Sequence, residues 1–231
     1  MKLAKDCIDI GVQTNQREAM LAFWGDEVGL PFEELLKVGG GTHQLRHGLN
    51  GAVFKLNHVR DPLSDNDATG YAELLIAREG LAATKSIADP DGNRVTLVPP
   101  GHLGVTTVGM RMRVRSAAAF RQFYGDTLGL EPAGEDCFRW GSTLLLLEKD
   151  PSHATCRAMA GKGFRYITVQ VWDVDAEHAR VVAGGGAEGR PPVTLGTTAR
   201  ISFVTDPDGN WIEISQRASL TGPLPTAIPK R

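Results

Sequence analysis

The side chains best suited to chemistry stand at alternating positions of short apolar runs in the second half of the chain. Arg111 and Arg113 are two apart in GMRMRV. On an extended strand they share one face, with Met110, Met112 and Val114 on the other. Thr168 and Gln170 share parity with Tyr166, and Trp211 and Ser215 share parity with Glu213. If that parity faces a cleft, the second half holds a polar, Arg-rich pocket with one acid and one indole. Such a pocket suits a carboxylate- or carbonyl-bearing aromatic ligand, because guanidinium takes an anion through paired hydrogen bonds and indole stacks. The plainer alternative is a set of cross-strand ion pairs among Arg111, Glu148 and Glu213 on a solvated face.

The histidines and cysteines offer less. His43 and His47 are four apart on a strand, about 13 Å at about 3.3 Å per residue, too far to share an ion. His43 and His58 can face each other across Asn50-Gly51, a strong hairpin signal. They share a face with Leu45, Phe54 and Leu56, which predicts structural histidines, with His47 or His58 as a general base the alternative. His102, His153 and His178 fall in a linker, a loop and a helix surface and receive no role. Cys7, Cys137 and Cys156 have the spacing of neither a disulfide framework nor a zinc site. Cys7 lacks an activating base and reads as a plain buried thiol. Gly39-Gly40-Gly41 precedes a strand and forms no phosphate cradle.

Two repeated blocks show how these residues are positioned. AFWGDEVGL at 22–30 matches QFYGDTLGL at 122–130, and DPDGNRVTLV at 89–98 matches DPDGNWIEIS at 206–215. In the first block Asn15 and Glu18 have the spacing of a capping box. Met20, Phe23 and Trp24 make an apolar helical face, and Gly29 is the stop. In the second, Ser116 caps, Phe120, Phe123 and Tyr124 form the stripe, and Gly129 stops it. DPDG is a turn with Pro at its second position and Gly at its fourth, leading into strands 95–98 and 212–214. Other predicted strands are 7–13, 33–38, 42–48, 52–58, 71–77, 82–88, 107–114, 135–140, 143–149, 164–171 and 199–205. A further helix spans 174–183, starting near Asp173 or Asp175; the stretch 71–89 is too short for its counterpart. Residues 61–70 read as a connection or a flap, Pro99-Pro100-Gly101 as a linker, and the tail from Ala218 as irregular.

Bulk composition narrows the class. The 231 residues suit two domains, with 42% hydrophobic and 23% charged residues. A net charge of −2 argues against a strongly basic nucleic-acid binder. No apolar run approaches the about 20 residues of a membrane span. The N-terminus lacks an apolar secretion core, so the expectation is a cytoplasmic protein acting on neither nucleic acid nor membrane.

The order of strand, helix and three strands, closed by DPDGN, resembles the glyoxalase / bleomycin-resistance / extradiol-dioxygenase group, the vicinal oxygen chelate superfamily. The similarity covers roughly residues 5–217. It implies an α+β fold of tandem βαβββ modules forming two curled mixed sheets, with the second module reduced. The expected division is 1–100 and 101–217, each a pair of modules, followed by a tail, 218–231. The resemblance also implies four equivalent strand positions where metal-dependent members carry His, Gln or Glu. Here those positions hold Asp9, Lys55, Tyr71 and Thr96 in the first half, and Gly109, Leu146, Tyr166 and Glu213 in the second. Only Glu213 matches. Gly and Leu donate nothing and Lys55 repels a cation, so no cofactor is expected. Crosswise pairing, first module with fourth, is the alternative. It would bring Asp9, Lys55, Tyr166 and Glu213 together and let Asp9 and Glu213 hold a hard divalent ion.

The function expected is acid–base chemistry of lyase or isomerase type on a small, partly apolar carbonyl or aromatic compound, without metal. Glu213 or Asp9 would be the base, Tyr166 or Tyr71 the hydrogen-bond donor, and Lys55 or Arg111 the charge stabiliser. Arg111, Arg113, Gln170 and Trp211 would bind the ligand. Non-catalytic sequestration of a drug or metabolite is the second hypothesis, and a divalent-metal enzyme the third. Either a monomer or a homodimer is compatible with four modules in one chain.

Overall fold

The computed structural model describes residues 1–64 and 68–225. The first module contains β1 (Leu3–Thr14), helix α1 (Arg17–Leu21) prolonged by a π-helical turn (Ala22–Glu27), β2 (Phe32–Gly39), β3 (Thr42–Leu49) and β4 (Ala52–Val59). The second contains β5 (Tyr71–Ala77), β6 (Lys85–Ala88) and β7 (Arg94–Val98), without a helix. The third contains β8 (Val108–Val114), α2 (Ala117–Phe120) with its π-helical turn (Arg121–Thr127), β9 (Glu131–Gly134), β10 (Cys137–Trp140) and β11 (Thr143–Lys149). The fourth contains β12 (Gly163–Val171), α3 (Val174–Ala183), β13 (Ala187–Leu195), β14 (Ala199–Thr205) and β15 (Trp211–Arg217). One helical turn, α4 (Ala218–Thr221), follows where an irregular tail was expected. The predicted flap at 61–70 and the tail from Ala218 each lie partly outside the described residues.

Two mixed sheets result. The eight-stranded sheet runs β13-β14-β15-β12-β1-β4-β3-β2 and the seven-stranded sheet β6-β7-β5-β8-β11-β10-β9. Module one thus joins module four, and module two joins module three across the short linker. The crosswise alternative is the one adopted. The division at residue 100 separates two sequence repeats, and each sheet draws on both. β1 and β12 lie side by side at the centre of the larger sheet, antiparallel, with Asp9 opposite Thr168 and Gly11 opposite Tyr166.

The repeated motifs have structural jobs. Asp206 Oδ1 accepts the N–H groups of Asp208 (3.0 Å) and Asn210 (2.8 Å), and Oδ2 accepts the Asn210 side-chain amide (2.8 Å). Asp89 holds Asp91 and Asn93 the same way. DPDGN is therefore a clasped turn. The helical motif grips it: Tyr124 Oη donates to Asp206 Oδ2 at 3.0 Å, and Gln16 Nε2 donates to Asp91 Oδ1 at 2.7 Å. In each half the helix of one module is tied to the closing turn of the next, while the sheets pair crosswise.

Two of the three expected caps form. Ser116 and Asp173 accept from Ala119 and Ala176. Asn15 does not cap α1: its amide donates to the Val59 and Asp61 carbonyls and its oxygen accepts from the Leu63 N–H, anchoring the chain after β4. His178 is buried and meets Glu188 at 2.9 Å, because β13, unforeseen in the sequence, covers that side of α3.

The helices and the outer sheet faces share a continuous core containing Trp24, Phe54, Ile10, Tyr124, Trp140 and Ile212. The inner face of the smaller sheet is plugged by Leu75, Ala77, Val98, Leu144 and the linker's Val105. Burial pushes the Asp206 carboxyl up to about 6, against the pull of its hydrogen bonds. A raised carboxyl binds its proton more tightly in the folded chain, so its contribution is complete below the unfolded value near 4 and lost as pH rises through about 6. Wild type should therefore lose, relative to Asp206→Asn, on the order of 3 kcal/mol between pH 4 and 7 in urea denaturation. A flat difference across that range would contradict the assignment.

Candidate functional site

Strand alternation loads one face of the larger sheet with polar groups. Gly11 and Gln13 come from β1, Gln44 and Arg46 from β3, Lys55 and Asn57 from β4, Tyr166 and Thr168 from β12, and Glu213, Ser215 and Arg217 from β15. The sheet curls around this face and encloses a cleft of about 710 Å³. Its rims are the edge strands, with Leu36 and Val38 on β2 and Val193 and Leu195 on β13, and its apolar wall is Ile201 and Phe203 on β14. Met159 and Ala160 close one end. They are held by Arg165, 1% exposed, which donates to the carbonyls of residues 158, 159 and 160.

The floor carries a compact charged cluster. Lys55 Nζ donates to Thr168 Oγ1 at 2.7 Å and to Glu213 Oε2 at 2.9 Å, and Thr168 Oγ1 donates to the same Oε2 at 2.6 Å. No donor among the described residues meets Glu213 Oε1. Gly11 lies between Lys55 and Tyr166 in the sheet, and its lack of a side chain makes room for the Tyr166 ring. A β-carbon there would lie 2.4 Å from the Tyr166 ring. The ring leans into that space, with the Lys55 ammonium 5.5 Å from its centroid.

The Tyr166 oxygen faces the Gln44 amide nitrogen at 3.4 Å and that of Asn57 at 3.2 Å, the latter sharing its two N–H groups with two backbone carbonyls. Asn57 is fixed by its own bonds to the Val12 and Lys55 carbonyls and by accepting from Gln44. Neither amide nitrogen can accept the phenolic proton, which leaves the O–H for an acceptor in the cleft. Burial, reinforced by the Glu213 carboxylate, raises the phenol far above its usual pKa. Tyr166 is thus a hydrogen-bond donor at any ordinary pH.

Other expected residues are distributed differently. Asp9 shares the floor, but its Oδ1 accepts from Lys5 (3.0 Å) and the Val53 N–H (2.9 Å), and it lies below the cleft surface. Gln170 is buried beside it, its amide 3.5 Å from Asp9 Oδ2. Trp211 flanks Phe203 at 6.0 Å. Tyr71 is in the core, donating to the Trp211 carbonyl at 2.9 Å.

Tyr71 is not the counterpart of Tyr166. Thr168 pairs with Glu213 and Leu75 with Thr96, so Glu73, two before Leu75, corresponds to Tyr166. A bulge between Tyr71 and Glu73 turns Tyr71 to the other face. Glu73 is bound by Arg111 (2.8 Å) and Thr96 (2.6 Å). Arg111 therefore belongs to the smaller sheet, as does Arg113, 3.6 Å from Glu148. The single pocket expected to unite them with Glu213 does not form, because modules three and four lie in different sheets. Cleft residues not singled out from sequence are Gly11, Gln44, Arg46, Asn57, Arg190 and Arg217. Four of these were within reach: the Asn50-Gly51 hairpin places Arg46 opposite Lys55 and Gln44 opposite Asn57, and alternation extends Glu213 to Arg217.

Four equivalent positions converge on this floor: Asp9, Lys55, Tyr166 and Glu213. They do not suit the metal site that the fold's metal-dependent members imply. An ammonium sits against the one outward carboxylate, and Asp9 is turned to Lys5. No trio of His, Cys, Asp or Glu among the described residues could hold an ion. No helix among them is long and apolar enough to cross a membrane.

The sequence model of the Glyoxalase/Bleomycin resistance protein/Dioxygenase superfamily matches residues 102–214. No curated protein matches the chain. Glyoxalase I from Zea mays has a similar structure, with a TM-score of 0.73 at 14% identity over 91% of this chain and 92% of that one. A candidate dioxygenase from Bacillus subtilis superposes with a TM-score of 0.68 at 13% identity, over 94% and 85%. At such identities the likeness shows the fold alone. The repeat, the crosswise sheets and the family match agree: residues 102–214 carry a domain of the Glyoxalase/Bleomycin resistance protein/Dioxygenase superfamily, and the chain has the vicinal oxygen chelate fold.

Proposed function

We propose that the cleft of the larger sheet performs metal-independent acid–base chemistry, of lyase or isomerase type, on a small carbonyl or aromatic compound with an apolar body. The observation that carries this reading is the Lys55–Glu213–Thr168 cluster beside a Tyr166 hydroxyl free to donate. A carbonyl oxygen lodged in the cleft between the Tyr166 hydroxyl and the Lys55 ammonium would meet two donors. Both strengthen as negative charge develops on that oxygen, which is the condition for lowering a barrier. Glu213 Oε1, unencumbered by protein donors, is placed to accept the proton removed from the adjacent carbon. Thr168 and Lys55 hold the other carboxylate oxygen and fix its direction.

Tyr166→Phe keeps the ring over Gly11 and removes one donor. It is expected to lower kcat by about a hundredfold on a turned-over carbonyl substrate with little change in KM. Full turnover by that variant would remove the phenol from the mechanism. A second reading, sequestration without chemistry, is favoured by the floor carboxylates each having a protein cation, Asp9 with Lys5 and Glu213 with Lys55. Tight binding of a carbonyl compound with no product over many hours would support it over catalysis.

A further inference from the structure

The cations around the cleft are unequally matched. Lys55 has Glu213, and Lys5 has Asp9. Arg46, 6% exposed, has Glu34 3.2 Å from Nε, in a geometry that makes no hydrogen bond. Arg217, at the end of β15, has neither an ion pair nor a side-chain hydrogen bond with the described residues. It lines the cleft, half-buried, and burial together with the Arg46 charge lowers its pKa, outweighing the opposing pull of the Glu34, Asp9 and Glu213 carboxylates. Keeping like charges there is costly unless an anion joins them. The carboxylates that act on Arg217 each meet another cation: Glu34 lies beside Arg46, Asp9 beside Lys5 and Glu213 beside Lys55. The walls leading away are apolar, formed by Ile201, Val193, Leu195 and Leu36.

We propose that Arg217, assisted by Arg46, is the anion-binding end of the cleft, and that the ligand is a carboxylate carrying an apolar or aromatic body. This rests on the reading of the cleft as a small-molecule site. The carboxylate would take paired hydrogen bonds from the Arg217 fork. The body would lie along β14 toward Phe203, bringing the carbon skeleton between Arg217 and Tyr166. Arg217 is then a binding residue and takes no part in proton transfer.

Benzoate and benzamide separate the claims, because they share shape and differ in charge. Each is titrated into the full chain while the Arg Nε–H resonances and the methyls of Ile201, Val193 and Leu195 are followed by NMR. Benzoate should bind about tenfold more tightly than benzamide and shift the Arg217 Nε–H, a ratio typical of one charge-assisted contact. Arg217→Gln should bring the ratio to about one while benzamide still shifts the wall methyls, and Arg217→Lys should restore part of the preference. Equal binding of the two probes at the wall methyls would overturn the carboxylate assignment and leave the cleft reading intact. A benzoate preference that survives Arg217→Gln would also overturn it. Absence of any saturable shift from either probe would overturn both. The wild-type comparison needs no variant to fold.

Discussion

Replacing Lys55 by methionine is expected to cost about 3 kcal/mol of folding stability and at least a hundredfold in turnover. The ammonium and the Glu213 carboxylate are 2.9 Å apart, with side chains 6% and 12% exposed. Removing one partner strands the other in a poorly solvated place, and that penalty exceeds the net worth of the pair. The size of the effect therefore depends on what remains. A Lys55→Met/Glu213→Leu double variant should recover most of the lost stability while remaining inactive. A double-mutant cycle in urea would show coupling of about 2 kcal/mol or more. Independent effects of the two substitutions would mean that the charges are separately solvated and that the cluster is no unit. In the proposed chemistry the turnover loss has a separate cause, since the ammonium would be one of two donors to the developing negative charge.

Gly11→Ala should be nearly as damaging, although it adds one methyl group. The new carbon would sit 2.4 Å from two carbons of the Tyr166 ring, which cannot be accommodated without moving the ring. Overpacking of this kind costs about 1–3 kcal/mol. The backbone of Gly11 is ordinary strand, so the effect is spatial and not conformational. The ring must swing out of the floor, taking its hydroxyl from Asn57 and Gln44. Ligand affinity and turnover should fall at least as far as in Tyr166→Phe. In a Tyr166→Ala background the added methyl should be nearly neutral for stability. If Gly11→Ala is harmless in the wild-type background, the packing of the floor is other than described.

Much of this was legible in the residues themselves. The paired blocks at 22–30 and 122–130 and at 89–98 and 206–215 gave four modules, because a clasped turn and a helix ending in Gly are local structures that announce themselves. Lys55, Tyr166 and Glu213 were reachable once those blocks were placed in register. Module pairing was not, since β1 offers two edges and nothing local says whether β12 or another strand takes the second. That choice moved Arg111 and Arg113 away from Glu213 and brought Lys55 to it. Tyr71 was misplaced because a β-bulge shifts every side chain after it to the opposite face, and the sequence carries no mark of this bulge. Arg217 escaped notice because the strand was read as ending early, although alternation from Glu213 through Ser215 points straight to it. Asn15 shows the limit of local motifs: its spacing to Glu18 fits a capping box, yet three groups at the end of β4 and just after it compete for the same side chain and win.

The central claim is that the Lys55 ammonium occupies the place where this fold can hold an ion, so that the cluster of Lys55, Glu213 and Tyr166 is complete without one. Its most direct test is calorimetric titration of the metal-stripped protein with Mn²⁺, Ni²⁺ and Zn²⁺, repeated on Glu213→Gln. The account predicts no saturable binding that depends on Glu213. Stoichiometric binding of one of these ions to the wild type, abolished by Glu213→Gln, would contradict it.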